Sequence, residues 1–444
     1  MAVIYNILFT FFFLLSAPFY FLKMWRRGGW KAGFAQRFSY YDSRFKAGLT
    51  NRHVLWIHAV SVGEVNIATQ LIRQLETRAP NLKVVVSTTT STGMGELRKK
   101  LPTHVLKVYY PIDRPRYVNR ALRIINPEAI VLVEAEIWPN FLWRAAERRI
   151  PVFLVNARLS QKSFSRYKAA RFLFGRIFAS FAGVGVQNEE DAARVKQLGC
   201  RPEAVHVVGN LKFDAAKIHE RPQIDVPRLL RQLGVPEDAI ILIGGSTHAG
   251  EEQILAQQFQ ALKKAFPKLF LIVVPRHFER GRDAGDDIAR EGVRVVYRME
   301  ISAETQFKPG EIECLLVNTT GELKYFYEYA SIIFVGKSLT SEGGQNPIEP
   351  GSLGKSIIFG PNMQNFEAIA AAFVKGKAAV QVRNKEELFG VLQSLLTDEH
   401  KRAELGRNAL AVVRQNQGSI DRTIDMILEK LDSTELFIPE AKGR

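Results

Sequence analysis

The feature that most constrains the fold is a regular alternation of short apolar runs with longer amphipathic stretches. The apolar runs are rich in β-branched residues, as in HVLWIHAV, KVVVSTT, AIVLVEAE and PVFLVNA, and later in AIILIGGS, LFLIVVPR, SIIFVGK and SIIFGP. Stretches with helical periodicity, such as RYVNRALRIIN and NFLWRAAERR, separate them. Buried strands that alternate with helices are typical of parallel sheets covered on both faces. The sequence therefore predicts an α/β protein.

The length of the chain and a break in this alternation indicate two domains. The chain has 444 residues, which is more than a single core usually organises. The pattern loosens near residues 213–229, in FDAAKIHERPQIDVPR. We predict two doubly wound, Rossmann-like domains at 25–215 and 216–420, with a closing helix and tail at 421–444. Such domains, facing a cleft, would bind ligands outside the carboxyl ends of their strands.

The N-terminal segment predicts a membrane anchor. Residues 2–24 are apolar without a charge until Lys23, and about 20 apolar residues span a bilayer. Basic residues cluster only afterwards, which places the remainder of the chain in the cytoplasm, and a cleaved signal carries its charges before the apolar run. No polar stripe is evident in the segment. We predict that residues 1–24 form a retained single-pass transmembrane helix, although Pro18 leaves open a kinked or partly interfacial helix.

The composition indicates an anionic partner. The formal net charge of +16 suits nucleic acid, a phosphorylated small molecule or an acidic membrane surface. The charge is dispersed and no nucleic-acid module is evident, so nucleic acid is not expected. Cys200 and Cys314 have no metal or redox spacing, which favours a reducing compartment.

Common catalytic signatures are absent from the sequence. It contains no G-x-G-x-x-G, G-x-x-x-x-G-K-[ST], H-E-x-x-H, G-x-S-x-G or D-x-D motif. This weighs against a nicotinamide dehydrogenase, a P-loop nucleotidase and an α/β-hydrolase. It also weighs against a metal-dependent enzyme that acts on a nucleoside diphosphate.

Acidic residues follow two strands of the first domain. Glu64 lies in a strand-to-helix turn after Gly63, where it could act as a general base, or could complete a capping box with Ser61. On spacing alone the two interpretations are close to even. The acids of VEAEIWPN, Glu134 and Glu136, could bind a divalent cation, but nothing nearby completes an oxygen shell.

In the second domain, polar residues follow several strands, in GGSTHAGEE, VPRHFER, NTTGEL and EGGQNPIEPGS. Backbone N–H groups at such helix starts can bind phosphate, and Arg276 can bind an anion directly. His277 can donate or accept a proton. We expect Asn346 to be a helix N-cap, with Glu349 in the first turn, where it could accept two ribose hydroxyls. A capping box between Asn346 and Glu349 is the alternative.

The ordered set of motifs SVGE, EAEIWPN, NARLS, QNEED, GNLKFD, STHAGEE, VPRH and GGQNPIEP resembles the 3-deoxy-D-manno-octulosonic acid (Kdo) transferases of lipid A biosynthesis. The resemblance covers essentially the whole chain. It implies a GT-B fold and an inverting, metal-independent transfer of Kdo. The donor would be CMP-Kdo and the acceptor the tetraacyl disaccharide precursor of lipid A (lipid IVA), in lipopolysaccharide biosynthesis. No cofactor is implied.

The resemblance also implies roles for individual residues. Glu64 matches the family's general base, Glu134 an acid that assists the transition state, and Lys212 a lysine near the leaving group. The residues that match the nucleotide-binding positions are Pro275, Arg276, Thr320, Gly321, Glu322, Asn346, Pro347, Ile348 and Glu349.

Three positions depart from the family pattern. Asn318, Lys337 and Gln345 stand where the family usually has Asp, Gly and His, so details of donor contact stay open. The expected partners are CMP-Kdo, the lipid A precursor and the phospholipid surface of the cell inner membrane, with the catalytic domains on its cytoplasmic side. Two alternatives are a membrane-anchored glycosyltransferase that uses another nucleotide sugar, such as a UDP-hexose, and a non-catalytic glycolipid-binding protein.

Overall fold

The computed structural model describes residues 2–26, 33–49, 53–134, 137–216 and 224–431, which divide into two compact units. Unit 1 takes its residues from 1–215 and 417–444, and unit 2 from 216–416. The second boundary differs slightly from the sequence expectation, which assigned residues up to 420 to the second domain. The last helix therefore belongs to unit 1.

Unit 1 is built on a parallel sheet of seven strands in its described part. The strands are β1 (His53–His58), β2 (Leu82–Thr88), β3 (Leu106–Tyr109), β4 (Ala129–Val133), β5 (Val152–Ala157), β6 (Gly183–Val186) and β7 (Val205–Val207). Their spatial order is β3-β2-β1-β4-β5-β6-β7. The order reverses between β1 and β4, because the chain first extends the sheet through β2 and β3 and then returns to the other side of β1.

Helices cover both faces of this sheet. The helices in the first half of the chain are α1 (Ala2–Arg26), α2 (Ser43–Ala47), α3 (Val62–Arg78), α4 (Ser91–Lys100), α5 (Pro115–Ile125), α6 (Pro139–Glu147), α7 (Gln161–Ala169), α8 (Arg171–Ser180) and α9 (Glu189–Leu198). On one face the buried Trp56 of β1 meets Phe141 of α6 edge to face, with ring centroids 5.1 Å apart. On the other face Leu71 and Leu75 of α3 are buried. Each large apolar side chain buried in this way contributes roughly 1.5–3 kcal/mol.

Unit 2 repeats the architecture. Its strands are β8 (Ile240–Thr247), β9 (Leu269–Pro275), β10 (Val295–Tyr297), β11 (Cys314–Leu316), β12 (Ile332–Val335), β13 (Ser356–Phe359) and β14 (Ala379–Gln381). They are parallel, in the order β10-β11-β9-β8-β12-β13-β14, and this order reverses between β8 and β12. The expected pair of doubly wound α/β sheets is confirmed.

The helices of the second half are α10 (Val226–Gln232), α11 (Glu251–Lys263), α12 (Gly281–Arg290), α13 (Leu323–Tyr327), α14 (Ile348–Ser352), α15 (Glu367–Lys375), α16 (Lys385–Thr397), α17 (Glu399–Asn416) and α18 (Ser419–Leu428). Short 3₁₀ helices lie at Ala35–Phe38, Pro202–Ala204, Leu211–Ala216, Phe278–Arg280, Arg298–Glu300 and Gln364–Phe366.

The last helix, α18, joins unit 1 through specific contacts. The buried Asp214 carboxylate accepts hydrogen bonds from the N–H groups of Gly418 and Ile420, both at 2.8 Å. These bonds satisfy amides at the helix start that have no partner within the helix. Ile424 and Ile427 are buried in the core on the α3 face of the sheet. Asp214 in GNLKFD therefore fixes the return of the chain to unit 1.

The N-terminal helix α1 is long and apolar enough, by length and composition, to cross a membrane. One side of it nevertheless contacts unit 1. The Tyr5 hydroxyl donates to Asp113 at 2.8 Å, Asn6 exchanges hydrogen bonds with Asn140, and Thr10 accepts one from Arg114 at 3.0 Å. No polar stripe was expected here from the sequence. The structure shows one, because the polar positions are too few to interrupt the apolar run but share a single side of the helix.

Candidate active site

Glu64 belongs to the start of α3 and participates in its capping. The Ser61 hydroxyl is the N-cap and accepts the Glu64 N–H at 3.2 Å, while the Glu64 carboxylate accepts the Val60 N–H at 2.8 Å. In a standard capping box the acid binds the N-cap residue's own N–H, and here it binds the N–H of the preceding residue. Glu64 therefore does contribute to the cap of α3, as the capping interpretation predicted, although not in the standard geometry. The Glu64 residue is 8% exposed.

The same residue lies where the strand order of unit 1 reverses. Glu64 follows β1, and Glu134 follows β4, its neighbour across the reversal. In doubly wound sheets this point, outside the carboxyl ends of the strands, is where ligands bind. The fold thus brings the two acids to neighbouring strand ends, in a place that suits a substrate.

Glu134 is paired with Lys212. The Lys212 Nζ lies 3.7 Å from Glu134 Oε1, and the same oxygen accepts the Asn156 side-chain amide at 3.3 Å. Glu134 has a φ of +62° and Asn156 a φ of +53°. Both values lie in the left-handed region, which residues other than Gly and Asn rarely adopt. Glu134, directly after β4, is therefore strained, and its side chain contacts that of Asn156 in the neighbouring strand β5. Such strain is concentrated at functional sites.

Asn156 connects this acid to the loop that carries the lysine. Its side-chain oxygen accepts the Leu211 N–H at 3.1 Å, and its own backbone oxygen accepts a bond from Gln187 at 3.3 Å. Asn210 donates to Gln187 at 3.0 Å and accepts the Lys212 N–H at 3.0 Å. Asn156 is fully buried. In the sequence Asn156 is visible only as part of the motif NARLS, and nothing there assigns it a role of its own.

In unit 2, Glu251 holds the ends of β8 and β12 together. Its carboxylate accepts N–H groups from His248, Lys337, Ser338 and Leu339, at distances of 2.7–3.0 Å. Four such bonds leave the carboxylate with its charge well compensated. The neighbouring Glu252 is also buried and forms an ion pair with Arg280 at 3.0 Å. Both acids of STHAGEE are therefore committed to internal contacts.

Cationic side chains surround His248. The pKa of His248 is lowered to about 4, first by burial and then by the positive charges of Lys337, His277, Arg280 and Arg276. The His248 and His277 rings lie 6.0 Å apart. His248 follows β8 and Lys337 follows β12, so this positive group marks the strand-order reversal of unit 2.

The charge of Arg276 also influences the pKa of Glu349, so the structure brings two of the predicted nucleotide-binding residues together. Burial raises the pKa of Glu349, and this is opposed by a hydrogen bond with Asn346 and by the charges of Lys324 and Arg276. Pro275 ends β9, and the Arg276 N–H donates to the Thr247 carbonyl at 3.0 Å. Glu349 therefore faces a cation, an amide and the start of its own helix.

The prediction that Asn346 is a helix N-cap is wrong. Helix α14 begins at Ile348, and its N-cap is Pro347, which has no side chain able to accept a bond. Asn346 instead accepts the Ile348 N–H at 3.1 Å, as Asn does in turns. Pro347 and Ile348 are buried. The Asn346–Glu349 contact joins two side chains and is not a capping box.

The third predicted nucleotide segment follows β11. Thr320 and Gly321 are exposed, and Gly321 has a φ of +86°. Glu322 pairs with Arg298 through an Nε–Oε2 distance of 3.1 Å. In the described part of the chain, the buried Thr319 and Tyr325 hydroxyls and the His248 Nε2 have no hydrogen-bond partner. Buried polar atoms without a partner are costly, and they mark places that a polar ligand could satisfy.

Several backbone amides near the expected phosphate-binding helix starts are already bonded. The Gly343 N–H donates to Gln364 at 2.7 Å, and the Gly344 N–H donates to the Lys337 carbonyl at 2.8 Å. At the start of α11 the His248 N–H is taken by Glu251. Cationic side chains, and not these amides, are therefore the groups offered to an anion.

Two remaining expectations concern metals and Glu136. Glu136 lies outside the described residues. Within the ranges that the structure describes, no group of three or more His, Cys, Asp or Glu residues could hold a metal ion.

Comparisons with known proteins identify related sequences and folds. Residues 32–215 match the family model of 3-deoxy-D-manno-octulosonic-acid transferase (kdotransferase). The chain is 31% identical over 401 residues to the 3-deoxy-D-manno-octulosonic acid transferase of Haemophilus influenzae, covering 90% of this chain and 91% of that protein. It is 30% identical over 428 residues to the transferase of the same name from Bordetella pertussis, covering 93% and 96%.

The fold also resembles solved structures. UDP-GlcNAc 2-epimerase from Neisseria meningitidis aligns with a TM-score of 0.58, covering 85% of this chain and 100% of that chain, at 14% identity. This similarity concerns the fold, a two-domain architecture of the GT-B type.

Proposed function

Because this chain belongs to the 3-deoxy-D-manno-octulosonic acid (Kdo) transferase family, we propose that it transfers Kdo from CMP-Kdo to the lipid A precursor in lipopolysaccharide biosynthesis. The observation that carries the proposal is the distribution of charge at the strand-order reversals. Acids follow β1 and β4 in unit 1, and the cations Arg276 and Lys337 follow β9 and β12 in unit 2. A glycosyl transfer from an anionic donor needs a base for the acceptor and cations for the leaving group.

Glu64 is the proposed general base. The Val60 N–H and the start of α3 favour its ionised form. The ionised carboxylate takes the proton of the acceptor hydroxyl as the oxygen forms a bond to the anomeric carbon of Kdo. The bond from that carbon to the phosphate oxygen breaks, and CMP leaves with the electron pair. Attack from the face opposite CMP inverts the anomeric centre.

Lys212 and Glu134 are proposed to act on the transition state. The Lys212 ammonium lies near the end of the same sheet and can stabilise negative charge that develops on the phosphate oxygen. Glu134, 3.7 Å away, pairs with the ammonium and orients it. Because CMP carries a single phosphate, its departure needs less neutralisation than that of a nucleoside diphosphate.

Unit 2 is the proposed donor-binding unit. Glu349 would accept the ribose hydroxyls, and Arg276 would bind the phosphate through charge-assisted hydrogen bonds. Pro275, residues 320–322 and residues 346–348 would line the nucleotide. Arg276 and Glu349 are close enough for their charges to interact, which supports one ligand that contacts both.

The apolar face of α1 is proposed to hold the protein at the inner membrane, with the catalytic units on the cytoplasmic side. Its large exposed residues are Val3, Ile4, Ile7, Leu8, Phe11, Phe12, Leu14, Leu15, Phe19, Leu22 and Trp25. The sequence predicts a single-pass span. The hydrogen bonds of Tyr5 and Asn6 to unit 1 favour a helix that lies on the membrane surface. If the helix spanned the bilayer instead, Tyr5 and Trp25 would lie about 30 Å apart, across the bilayer from each other.

The position of the N-terminus distinguishes these two arrangements. Cys200 and Cys314 are buried, so a cysteine introduced as Ala2→Cys would be the accessible thiol within the described residues. In intact cells with a permeabilised outer membrane, a membrane-impermeant maleimide would label a spanning protein. We expect labelling only after the inner membrane is opened, and labelling of intact cells would support the span.

The reaction itself is tested by the mass of its product. The purified protein is incubated with the lipid A precursor and a CMP-Kdo generating system, and we expect the acceptor to gain the mass of one or more Kdo residues. Parallel reactions with UDP-hexoses test the alternative donor. A product that contains a hexose, or an unchanged acceptor with every donor, would overturn the proposal.

A further inference from the structure

His248 and Lys337 lie side by side at the strand-order reversal of unit 2. They follow β8 and β12, which are neighbours in the sheet. Their N–H groups donate to the same oxygen, Glu251 Oε2, at 2.9 and 2.7 Å. This shared acceptor fixes the separation of the two backbones. A ligand placed over the reversal therefore meets both residues.

The Lys337 side chain extends to the glycine pair of GGQNPIEP. Its ammonium packs so closely beside Gly343 that a Cβ at that position would lie 3.3 Å from Lys337 Nζ. Lys337 has a φ of +54°, so its backbone adopts the left-handed conformation that glycine adopts without strain. The charge is thus held over the loop that leads to Asn346 and Glu349.

The nearby acids are engaged with other groups. The Glu251 carboxylate is surrounded by backbone N–H groups, and Glu252 is paired with Arg280. Lys337 and Arg276 therefore give this place a positive potential, and their charges add to burial in lowering the pKa of His248. The His248 Nε2 is buried without a hydrogen-bond partner among the described residues. A ligand that supplies an acceptor oxygen would satisfy it.

We propose that His248 and Lys337 form an oxyanion subsite that takes the phosphate of the donor, in addition to its contact with Arg276. His248 donates a hydrogen bond from Nε2–H to one phosphate oxygen, and Lys337 contributes its charge from the side of Gly343. The subsite rests on the proposed function for the identity of the nucleotide. Its chemistry, a cation and an imidazole donor, does not depend on the sugar.

The matched pair Lys337→Gly and Lys377→Gly tests the subsite. Lys377 is a lysine of unit 2 with a φ of +50°, and it is exposed on another part of the unit. Glycine keeps the left-handed backbone at both positions, so the two variants remove the same charge without adding strain. The full-length protein in detergent is titrated with CMP and with cytidine by calorimetry.

We expect Lys337→Gly to weaken CMP binding about tenfold and to leave cytidine binding unchanged. Lys377→Gly should bind both ligands as the original protein does. His248→Gln should weaken CMP binding several-fold without affecting cytidine. Unchanged CMP affinity in Lys337→Gly, or an equal loss of CMP and cytidine affinity, would overturn the subsite.

Inorganic phosphate separates this inference from the proposed function. Phosphate should raise the thermal stability of the original protein and of Lys377→Gly more than that of Lys337→Gly. If this difference appears but CMP does not bind, the subsite stands and the CMP-Kdo proposal fails. If CMP binds equally to all variants and phosphate stabilises them equally, the subsite fails and the proposed donor stands.

Discussion

The two units share one architecture and differ in the charge they carry at the same topological position. Each has a parallel sheet whose order reverses beside its first strand. In unit 1 the residues that follow the strands at the reversal include Glu64 and Glu134, and in unit 2 they include His248 and Lys337. The fold provides a place for a ligand, and the residues after the strands decide which chemistry occurs there.

The comparison extends to the way each site is supported. In unit 1 Asn156 connects the acid Glu134 to the loop of Lys212, and in unit 2 Glu251 connects the loops of His248 and Lys337. Each connector is fully buried and joins segments that are distant in sequence. Each unit therefore places its functional groups by means of one buried polar residue.

The largest effect is expected at the acid of unit 1. Glu64→Gln should lower the rate of transfer by about 10²–10⁴-fold, because a general base contributes that much and the amide cannot accept the proton. Glutamine keeps an oxygen that can accept the Val60 N–H, so the start of α3 should be preserved. Single-turnover kinetics measure the rate, and calorimetry with CMP checks that unit 2 is intact.

Glu76→Gln is the matched control for this variant. Glu76 lies on the same helix, where it contacts His104, and its change should leave transfer unaffected. If Glu64→Gln retains full activity, Glu64 is a helix cap and not the base.

A double-mutant cycle tests the ion pair of the same unit. Glu134→Gln and Lys212→Met should each lower the rate about 10²-fold, because the charged pair acts on one developing charge. The double variant should be little slower than either single variant, since residues that act as a unit are not additive. Rates that multiply would show that the two side chains act independently and that the 3.7 Å contact has no role in transfer.

Much of the fold was predictable from the sequence, because its strands are buried on both faces and read as continuous apolar runs. Strand β3 (Leu106–Tyr109) was missed, since it is short and its first residues, Leu106 and Lys107, are only half buried. The membership of α18 in unit 1 was also missed. It depends on Asp214, which contacts residues more than 200 positions away in the sequence.

The site was predictable in its residue types but not in its bonds. The sequence placed Glu64 in a strand-to-helix turn, but it could not show that the carboxylate binds the Val60 N–H. It suggested that backbone N–H groups at the helix starts bind phosphate, whereas those of Gly343 and Gly344 donate to other groups. Lys337 looked like a departure at a glycine position, and its φ of +54° shows that the backbone has the conformation glycine favours. Partners contributed by distant segments decide such points.

A smaller effect is expected at the connector of unit 1. Asn156→Gly keeps the backbone at its φ of +53° but removes the bonds to Glu134 and Leu211. We expect kcat to fall several-fold with little change in KM, and the free energy of unfolding to fall by about 1–3 kcal/mol. Asn126→Gly is the control, because Asn126 has a φ of +45° at the end of α5 and should tolerate glycine. Equal effects of the two variants on kcat would exclude positioning by Asn156.

The smallest effect is expected on the pH dependence of stability, through one histidine in each unit that lies at or just after the end of the unit's first strand. The pKa of the fully buried His58, at the end of β1, is lowered to about 3 by burial, opposed by its bond to Ser87. His248, after β8, has a pKa lowered to about 4 by burial and by neighbouring cations. Both bind protons less readily when folded than when unfolded. Stability should therefore fall as the pH drops below about 6.5, the ordinary histidine value.

A ligand should distinguish the two histidines. A phosphate bound beside His248 adds negative charge and should raise the pKa of that imidazole by about one unit or more, while His58 should not respond. NMR titration of labelled histidines, with and without inorganic phosphate, measures both in one sample. His248→Gln assigns the responding signal. The contrast between the units requires that the anion bind near the end of β8 and not near the end of β1. If phosphate shifted the pKa of both histidines, or of neither, the assignment of anion binding to unit 2 alone would be wrong.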